Sequence, residues 1–162
     1  MIIHYMQDMD RALPLSPIPR KNWEIDAYPV NEIAEYVQDV SQGDIDVLVE
    51  EYYNKYDMIL DGRDPEEFKK HVAVQAGIEI GFERFLEEKN YQAIVTHFGD
   101  LGSLKQLPGL AIQRLMEKGY GFGGEGDWKT AAMGIEAVYI DGDTTIRNLQ
   151  NELRWNSMYF SK

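Results

Sequence analysis

Apolar residues recur along this chain at helical spacing in some segments and as short continuous runs in others. The helical spacing predicts three consecutive helices, at about 31–40, 44–56 and 65–88. Asn31 and Asp64 are the expected N-caps of the first and third helix, and Pro65 suits a first helical position. Gly43 is the expected break between the first two helices.

Runs of β-branched and aromatic residues predict strands, at about 2–6, 23–28, 91–98 and 135–140. Pro108 is expected to open a helix that ends near Lys118, and residues 119–126 are expected to form a glycine-rich loop. Asp127 is the expected cap of a short helix, and a last amphipathic helix is expected at 144–160. This alternation of strands and helices favours an α/β fold.

Two glycines interrupt the apolar face of the longest predicted helix. Gly77 and Gly81 lie four residues apart, one helical turn from each other. In a solvated helix each glycine costs about 1 kcal/mol relative to alanine. We therefore expect another element to pack closely against this helix at both positions.

The composition narrows the classes of partner. The chain has 162 residues, a formal net charge of −12 and no cysteine. A chain of this length suits one domain, and its negative charge repels phosphate backbones, so we expect no nucleic-acid partner. Its apolar runs are shorter than the roughly 18 residues of a membrane span, so we expect no membrane partner. The first residues lack the basic and long apolar regions of a secretory signal, and the absence of cysteine is compatible with the cytosol, so we expect a cytoplasmic location.

Only a few residues offer chemistry by themselves. Glu125 lies between two glycines before a predicted helix, where its carboxylate could bind a hard divalent ion such as Mn²⁺ or act as an ordinary loop residue. His97 ends a predicted strand, the position at which α/β proteins place binding sites, so a pocket role and a packing role both remain open. His71 lies on the longest predicted helix and favours a solvated role.

One long segment carries a family resemblance. Residues Leu104–Ala132, which include Gly-Phe-Gly-Gly-Glu-Gly-Asp-Trp-Lys, closely resemble the central-domain signature of L-arabinose isomerases. The segment Asn22–Val37 resembles the beginning of that central domain. The segments Gly134–Asp141 and Asn151–Asn156 resemble the C-terminal end of the family. The chain therefore resembles an internally deleted isomerase with a second junction near Arg20.

The resemblance divides the chain into three parts. Residues 1–21 are an N-terminal strand with a proline-rich connector, residues 22–133 are the central-domain-like region, and residues 134–162 are a C-terminal strand and helix packing on the same domain. The fold that it implies is a Rossmann-like three-layer domain with a short, mainly parallel sheet.

The resemblance also implies an activity and a set of site residues. The family isomerises L-arabinose to L-ribulose, with Mn²⁺ polarising the sugar carbonyl while carboxylates shuttle a proton. Glu125 matches the family glutamate that binds the metal, and is thus the implied catalytic and metal residue. Phe98 matches an aromatic that lines the sugar pocket, and Gln7, with His4, matches a strand near the site. Phe98 and Gln7 are the implied substrate-binding residues, for L-arabinose or a related aldose.

The chain departs from the family in its metal ligands. A second glutamate and two histidines of the family site have no matching position in this sequence. One carboxylate cannot hold a divalent ion in a defined geometry, so we expect negligible isomerase activity from the isolated chain. Two other hypotheses stay open. The chain could be a subunit completed in trans by an isomerase-like partner, or a non-enzymatic domain that forms homo-oligomers through the family's subunit surfaces.

Overall fold

The computed structural model describes residues 2–4, 25–97, 99, 101–132 and 134. Four strands and four helices are defined within these residues. The strands are β1 (Ile2–His4), β2 (Ile25–Asp26), β3 (Ala93–Thr96) and β4 (Gly121–Gly124). The helices are α1 (Val30–Gln38), α2 (Gln42–Lys55), α3 (Pro65–Glu88) and α4 (Gly109–Glu117), and residues 128–132 are also helical. The predicted strand at 135–140 and the predicted helix at 144–160 lie outside the described residues.

The four strands form one parallel sheet in the order β2-β1-β3-β4. Ile2 of β1 pairs with Ile25 of β2 on one side and with Ala93 of β3 on the other. Ala93 in turn pairs with Gly121 of β4. Parallel strands separated by helices confirm the predicted α/β class. None of the helices in the described part of the chain is long and apolar enough to cross a membrane.

Apolar side chains cover both faces of β3. Ile94 belongs to the larger core cluster, together with Phe82 and Phe85 of α3 and Leu115 of α4. The neighbouring strand residues point to the other face, where they meet the helical segment that starts at residue 128. That smaller cluster contains Ala93, Val95, Trp128, Ala131 and Ala132. The alternation of side chains along a strand explains this division between two faces.

The glycine-rich stretch is a strand for half of its length, which corrects the predicted loop at 119–126. Residues Gly121–Gly124 pair with β3 along the whole of that strand. Glycine is depleted in strands, so the local sequence gives no signal for this pairing. At Gly123 a Cβ atom would lie 2.0 Å from the backbone oxygen of Asp127, so a side chain there is excluded by the turn that follows.

The observed helix ends agree in part with those predicted from the sequence. Helix α3 spans Pro65–Glu88 as predicted, and the Asp64 side chain accepts a hydrogen bond from the Glu67 amide. Asn31 is not a cap, because α1 already begins at Val30, and its Oδ1 accepts from the Ser103 amide instead. Gly43 is not the break either: it lies in the first turn of α2, and Ser41 caps that helix.

The two helix glycines differ in their surroundings. A Cβ atom at Gly81 would lie 2.6 Å from Cα and 2.7 Å from the backbone nitrogen of Val37, so α1 rests against the α3 backbone at this point. At Gly77 the nearest atom would be Cδ1 of Ile45, at an ordinary contact distance of 3.5 Å. The expected close packing is confirmed for Gly81 and wrong for Gly77.

A buried ionic cluster joins α2, α3 and α4. Glu79 of α3 is fully buried, and it accepts from the Tyr52 hydroxyl at 2.5 Å and from Arg114 Nε at 3.1 Å. Lys118 Nζ lies 2.9 Å from the other Glu79 oxygen. Burial, followed by the hydrogen bond to Glu79, raises the pKa of Tyr52 well above its ordinary value. The hydroxyl therefore stays protonated and donates to the carboxylate.

Candidate functional site

The ends of two neighbouring strands bring the two chemically interesting residues together. Strands β3 and β4 are parallel neighbours that end at Thr96 and Gly124. The next residues are His97 and Glu125, which therefore lie at the same edge of the sheet. His97 Nε2 is 3.2 Å from Glu125 Oε2. About a third of the His97 side chain and half of the Glu125 side chain are exposed, so the pair faces solvent.

A tight turn presents Glu125 at this edge. Glu125 has a positive φ of 52° and Gly126 one of 83°, so the chain reverses immediately after β4. Asp127 then caps the following helical residues by accepting from the amide and the hydroxyl of Thr130, at 3.1 and 2.6 Å. The hydrogen bond from the Thr130 side chain holds the pKa of Asp127 below its ordinary range. Asp127 is thus occupied as a cap, whereas Glu125 faces the sheet edge.

The backbone fixes which nitrogen of His97 carries the proton. The Gly99 amide donates a hydrogen bond to His97 Nδ1 at 3.0 Å. Because an amide can only donate here, Nδ1 is the acceptor, and the proton of the neutral ring is on Nε2. A Cβ atom at residue 99 would lie 2.8 Å from His97 Cε1, so the absence of a side chain at Gly99 lets the ring take this position. The nitrogen that faces Glu125 is therefore a proton donor.

A small cavity lies beside His97. Its volume is about 20 Å³, room for roughly one water molecule. Apolar side chains of α1, α3, β3 and the segment 101–108 line it, together with Thr96 and His97. Within the described part of the chain, Thr96 Oγ1 is the buried side-chain polar atom that lacks a hydrogen-bond partner. Small-molecule pockets typically measure about 300–1,000 Å³, so this cavity is far smaller than a sugar site.

Of the other residues proposed from the sequence, His71 lies apart from this pair, and the rest are undescribed or described by their backbone alone. Phe98 and Gln7 lie outside the described residues. His71 is exposed on α3, where its Nδ1 lies 2.9 Å from Gln106 Nε2. The backbone of His4 ends β1, which pairs with β3.

The residues beside Glu125 do not fit a divalent metal ion. A metal-bound histidine coordinates through one ring nitrogen and normally donates the hydrogen of the other nitrogen to an oxygen. His97 has the reverse arrangement, because Nδ1 faces an amide hydrogen and the proton is on Nε2, which lies 3.2 Å from Glu125. Among the residues that the structure describes, no group of three histidine, aspartate or glutamate side chains could hold a metal.

Sequence reasoning missed the contact between His97 and Glu125. The sequence marks both residues as candidates, one at the end of a predicted strand and one in a predicted loop. The contact was missed because β4 was not predicted as a strand. Since Gly121–Gly124 pairs with β3, the residues that follow the two strands are neighbours. The unusual glycine content of β4 conceals that step.

Comparison with known proteins identifies relatives of this chain. Residues 19–141 match the family model described as the L-arabinose isomerase central domain. An L-arabinose isomerase of Geobacillus kaustophilus is 44% identical over 124 residues, which is 76% of this chain and 25% of that protein. One of Serratia proteamaculans is 47% identical over 121 residues, 74% of this chain and 24% of that protein. The L-arabinose isomerase 1 of Clostridium acetobutylicum is 49% identical over 111 residues, 68% and 23% of the two chains.

The match covers most of this chain and little of its relatives. The chain spans about a quarter of the length of the curated isomerases that it resembles. The family model nevertheless covers more than half of this chain, including β4 and the turn that carries Glu125. The chain belongs to the L-arabinose isomerase family, through that family's central domain.

Proposed function

We propose that this chain is an L-arabinose isomerase-like domain that has negligible isomerase activity on its own. The observation that carries the proposal is the pairing of Glu125 with a protonated imidazole nitrogen, 3.2 Å from its carboxylate. By the family resemblance, Glu125 corresponds to the family's metal-binding glutamate. The neighbouring Nε2 of His97 carries a hydrogen and therefore offers no lone pair to a metal ion.

Aldose isomerisation requires more functional groups than the single carboxylate of Glu125. Isomerising an aldose requires a group that polarises the carbonyl and groups that move a proton between adjacent carbons. Loss of a single acid–base partner costs roughly 10²–10⁴-fold in rate. The implied cofactor is Mn²⁺, which requires several oxygen or nitrogen ligands. This chain supplies Glu125, and we propose that any further ligands would have to come from another chain.

The same proposal includes the finer architecture. We propose that the chain forms a Rossmann-like three-layer domain. We also propose that it lies in the cytoplasm and derives from an enzyme of arabinose catabolism. The strand order β2-β1-β3-β4 corresponds to the first four strands of one common doubly wound order, and apolar clusters on both faces of β3 support helices on both sides. In such sheets ligands bind outside the carboxyl ends of the strands, which is where His97 and Glu125 lie.

An activity assay tests the proposal directly. Pure wild-type chain and the Glu125→Gln variant are incubated with L-arabinose and Mn²⁺, and L-ribulose is measured. We expect equal, background-level signals, because neither protein can hold the metal and the sugar together. Conversion by the wild type that Glu125→Gln abolishes would refute the proposal. Expression in a host without its own arabinose isomerase removes contaminating activity.

Two alternatives predict different results in the same preparations. A subunit completed in trans should gain Glu125-dependent activity when an isomerase-like chain that carries the missing ligands is added. A non-enzymatic interaction domain should form a stable homo-oligomer whose mass, measured by light scattering, is the same with and without EDTA. A monomer that stays inactive in both experiments supports the isomerase-derived domain without catalysis.

A further inference from the structure

The residues around Glu125 disagree with the metal that the family implies. We propose that His97 takes the place of the metal ion as the partner of Glu125, so that this edge of the sheet is closed to divalent cations. The inference rests on the proposed function, since it concerns the same carboxylate, but it is tested without any sugar.

The first argument is the polarity of the imidazole. The Gly99 amide occupies Nδ1 at 3.0 Å, which leaves Nε2 as the protonated nitrogen. For Nε2 to bind a metal ion, the ring proton would have to move to Nδ1, where it would face the amide hydrogen of Gly99. Two hydrogens would then point at each other and the amide would lose its acceptor. The ring is therefore set up to donate to Glu125.

The second argument is that the backbone keeps the ring in place. A Cβ atom at Gly99 would come within 2.8 Å of His97 Cε1 and 3.1 Å of Nδ1, so the loop backbone lies directly against the ring. His97 directly follows β3, whose register with β4 sets the separation of the two residues. A cation that bound both Glu125 Oε2 and the ring would meet the Nε2 hydrogen, and it could displace that hydrogen only by breaking this arrangement.

The third argument concerns the turn that carries Glu125 and the next carboxylate, that of Asp127. The positive φ of Glu125 and of Gly126 fixes the turn that carries the carboxylate. Thr130 holds Asp127, the next carboxylate, as a helix cap and thereby keeps it from turning towards a shared ion. A cation beside Glu125 would therefore find no second carboxylate ligand in this turn.

Titration with Mn²⁺ alone tests this inference. Free Mn²⁺ is measured by electron paramagnetic resonance with the full chain, with Glu125→Gln and with His97→Asp. We expect the wild type and Glu125→Gln to bind Mn²⁺ equally weakly. His97→Asp replaces the donor with a second oxygen ligand, and we expect it to tighten binding by about tenfold or more, the scale of changes around a metal site. Adding Glu125→Gln to His97→Asp should remove that gain.

The controls separate this result from general effects. His71→Gln removes an exposed histidine elsewhere and should leave Mn²⁺ binding unchanged. Thermal melts show which variants are folded. If His97→Asp does not fold, His97→Asn replaces it in the titration, because its amide supplies an oxygen ligand without charge. Tighter binding by the wild type than by Glu125→Gln would overturn the inference, and so would a folded His97→Asp that gains no affinity. Either result leaves the sugar assay, and with it the proposed function, to be judged separately.

Discussion

Replacing Gly81 by alanine should destabilise the protein, although alanine is the better helix former. The new Cβ atom would lie 2.6–2.7 Å from Cα, N and Cγ2 of Val37, so α1 must move away from α3. Overpacking of this kind costs about 1–3 kcal/mol, offset by about 1 kcal/mol of helix propensity. Because two of the three clashing atoms are backbone atoms, which cannot rotate away, we place the cost near the upper end. The expected net loss is about 1–2 kcal/mol.

Gly77→Ala is the matched control, because it makes the same change one turn earlier on the same helix. Its Cβ atom would contact Ile45 Cδ1 at 3.5 Å, an ordinary distance. Here the gain in helix propensity is not opposed, and we expect a stabilisation of about 0.5–1 kcal/mol. The two variants should therefore differ by about 1.5–3 kcal/mol, or about 3–12 °C in Tm for a chain of this size.

Urea denaturation followed by circular dichroism at 222 nm measures both variants against the wild type. Equal stabilities of Gly81→Ala and Gly77→Ala would refute the reasoning, because helix propensity alone treats the two positions alike. The double variant Gly81→Ala/Val37→Ala sharpens the test. Trimming Val37 removes its Cγ2 but leaves its Cα and N in place, so we expect little recovery of stability.

Three further variants test other parts of the structure. Glu79→Gln should cost about 3 kcal/mol in urea denaturation, because it removes the buried charge that faces Arg114 and leaves the guanidinium with the partly exposed Glu51 and Glu117 as its charged partners; a loss under about 1 kcal/mol would contradict this. Asp127→Ala should cost about 1 kcal/mol at pH 7 through the lost cap. Since the pKa of Asp127 is depressed in the folded state, its stabilisation is present above the ordinary value and is lost as the pH falls through the folded pKa. The gap between Asp127→Ala and the wild type should narrow over that range, and a constant gap would contradict the assigned role. Gly123→Ala should destabilise more than Gly81→Ala, because its Cβ atom would lie 2.0 Å from the Asp127 oxygen, and a melt at the wild-type temperature would show that the turn adapts.

Local signals account for the parts of the fold that the sequence predicted. Helix α3 has a capping aspartate, a proline at its first position and an apolar face of regular spacing, so its limits Pro65–Glu88 could be predicted from neighbours in sequence. Strand β3 is a buried apolar run and was located for the same reason. The absence of such a signal explains the main error, since β4 consists of glycines and one phenylalanine and is a strand only because β3 pairs with it.

The candidate site, like the fold, could be predicted from the sequence only in part. Glu125 was found through a resemblance, which carries information that spacing does not. Its contact with His97 depends on residues 28 positions apart in sequence (125 − 97) being joined by the pairing of β3 with β4. The ionic cluster around Glu79 is of the same kind, because its partners come from two other helices and nothing local marks them. Tertiary contacts decide both features.

The position of β1 determines how this domain could be shortened. Strand β1 pairs with β2 on one side and with β3 on the other, yet it precedes the residues that match the family model, 19–141. A fragment trimmed to those residues would leave β2 without its partner strand and would expose one edge of β3. Unpaired strand edges attract other chains, so such a fragment should aggregate. For this protein, the boundary suggested by homology and the boundary required for a soluble preparation lie on opposite sides of the first strand.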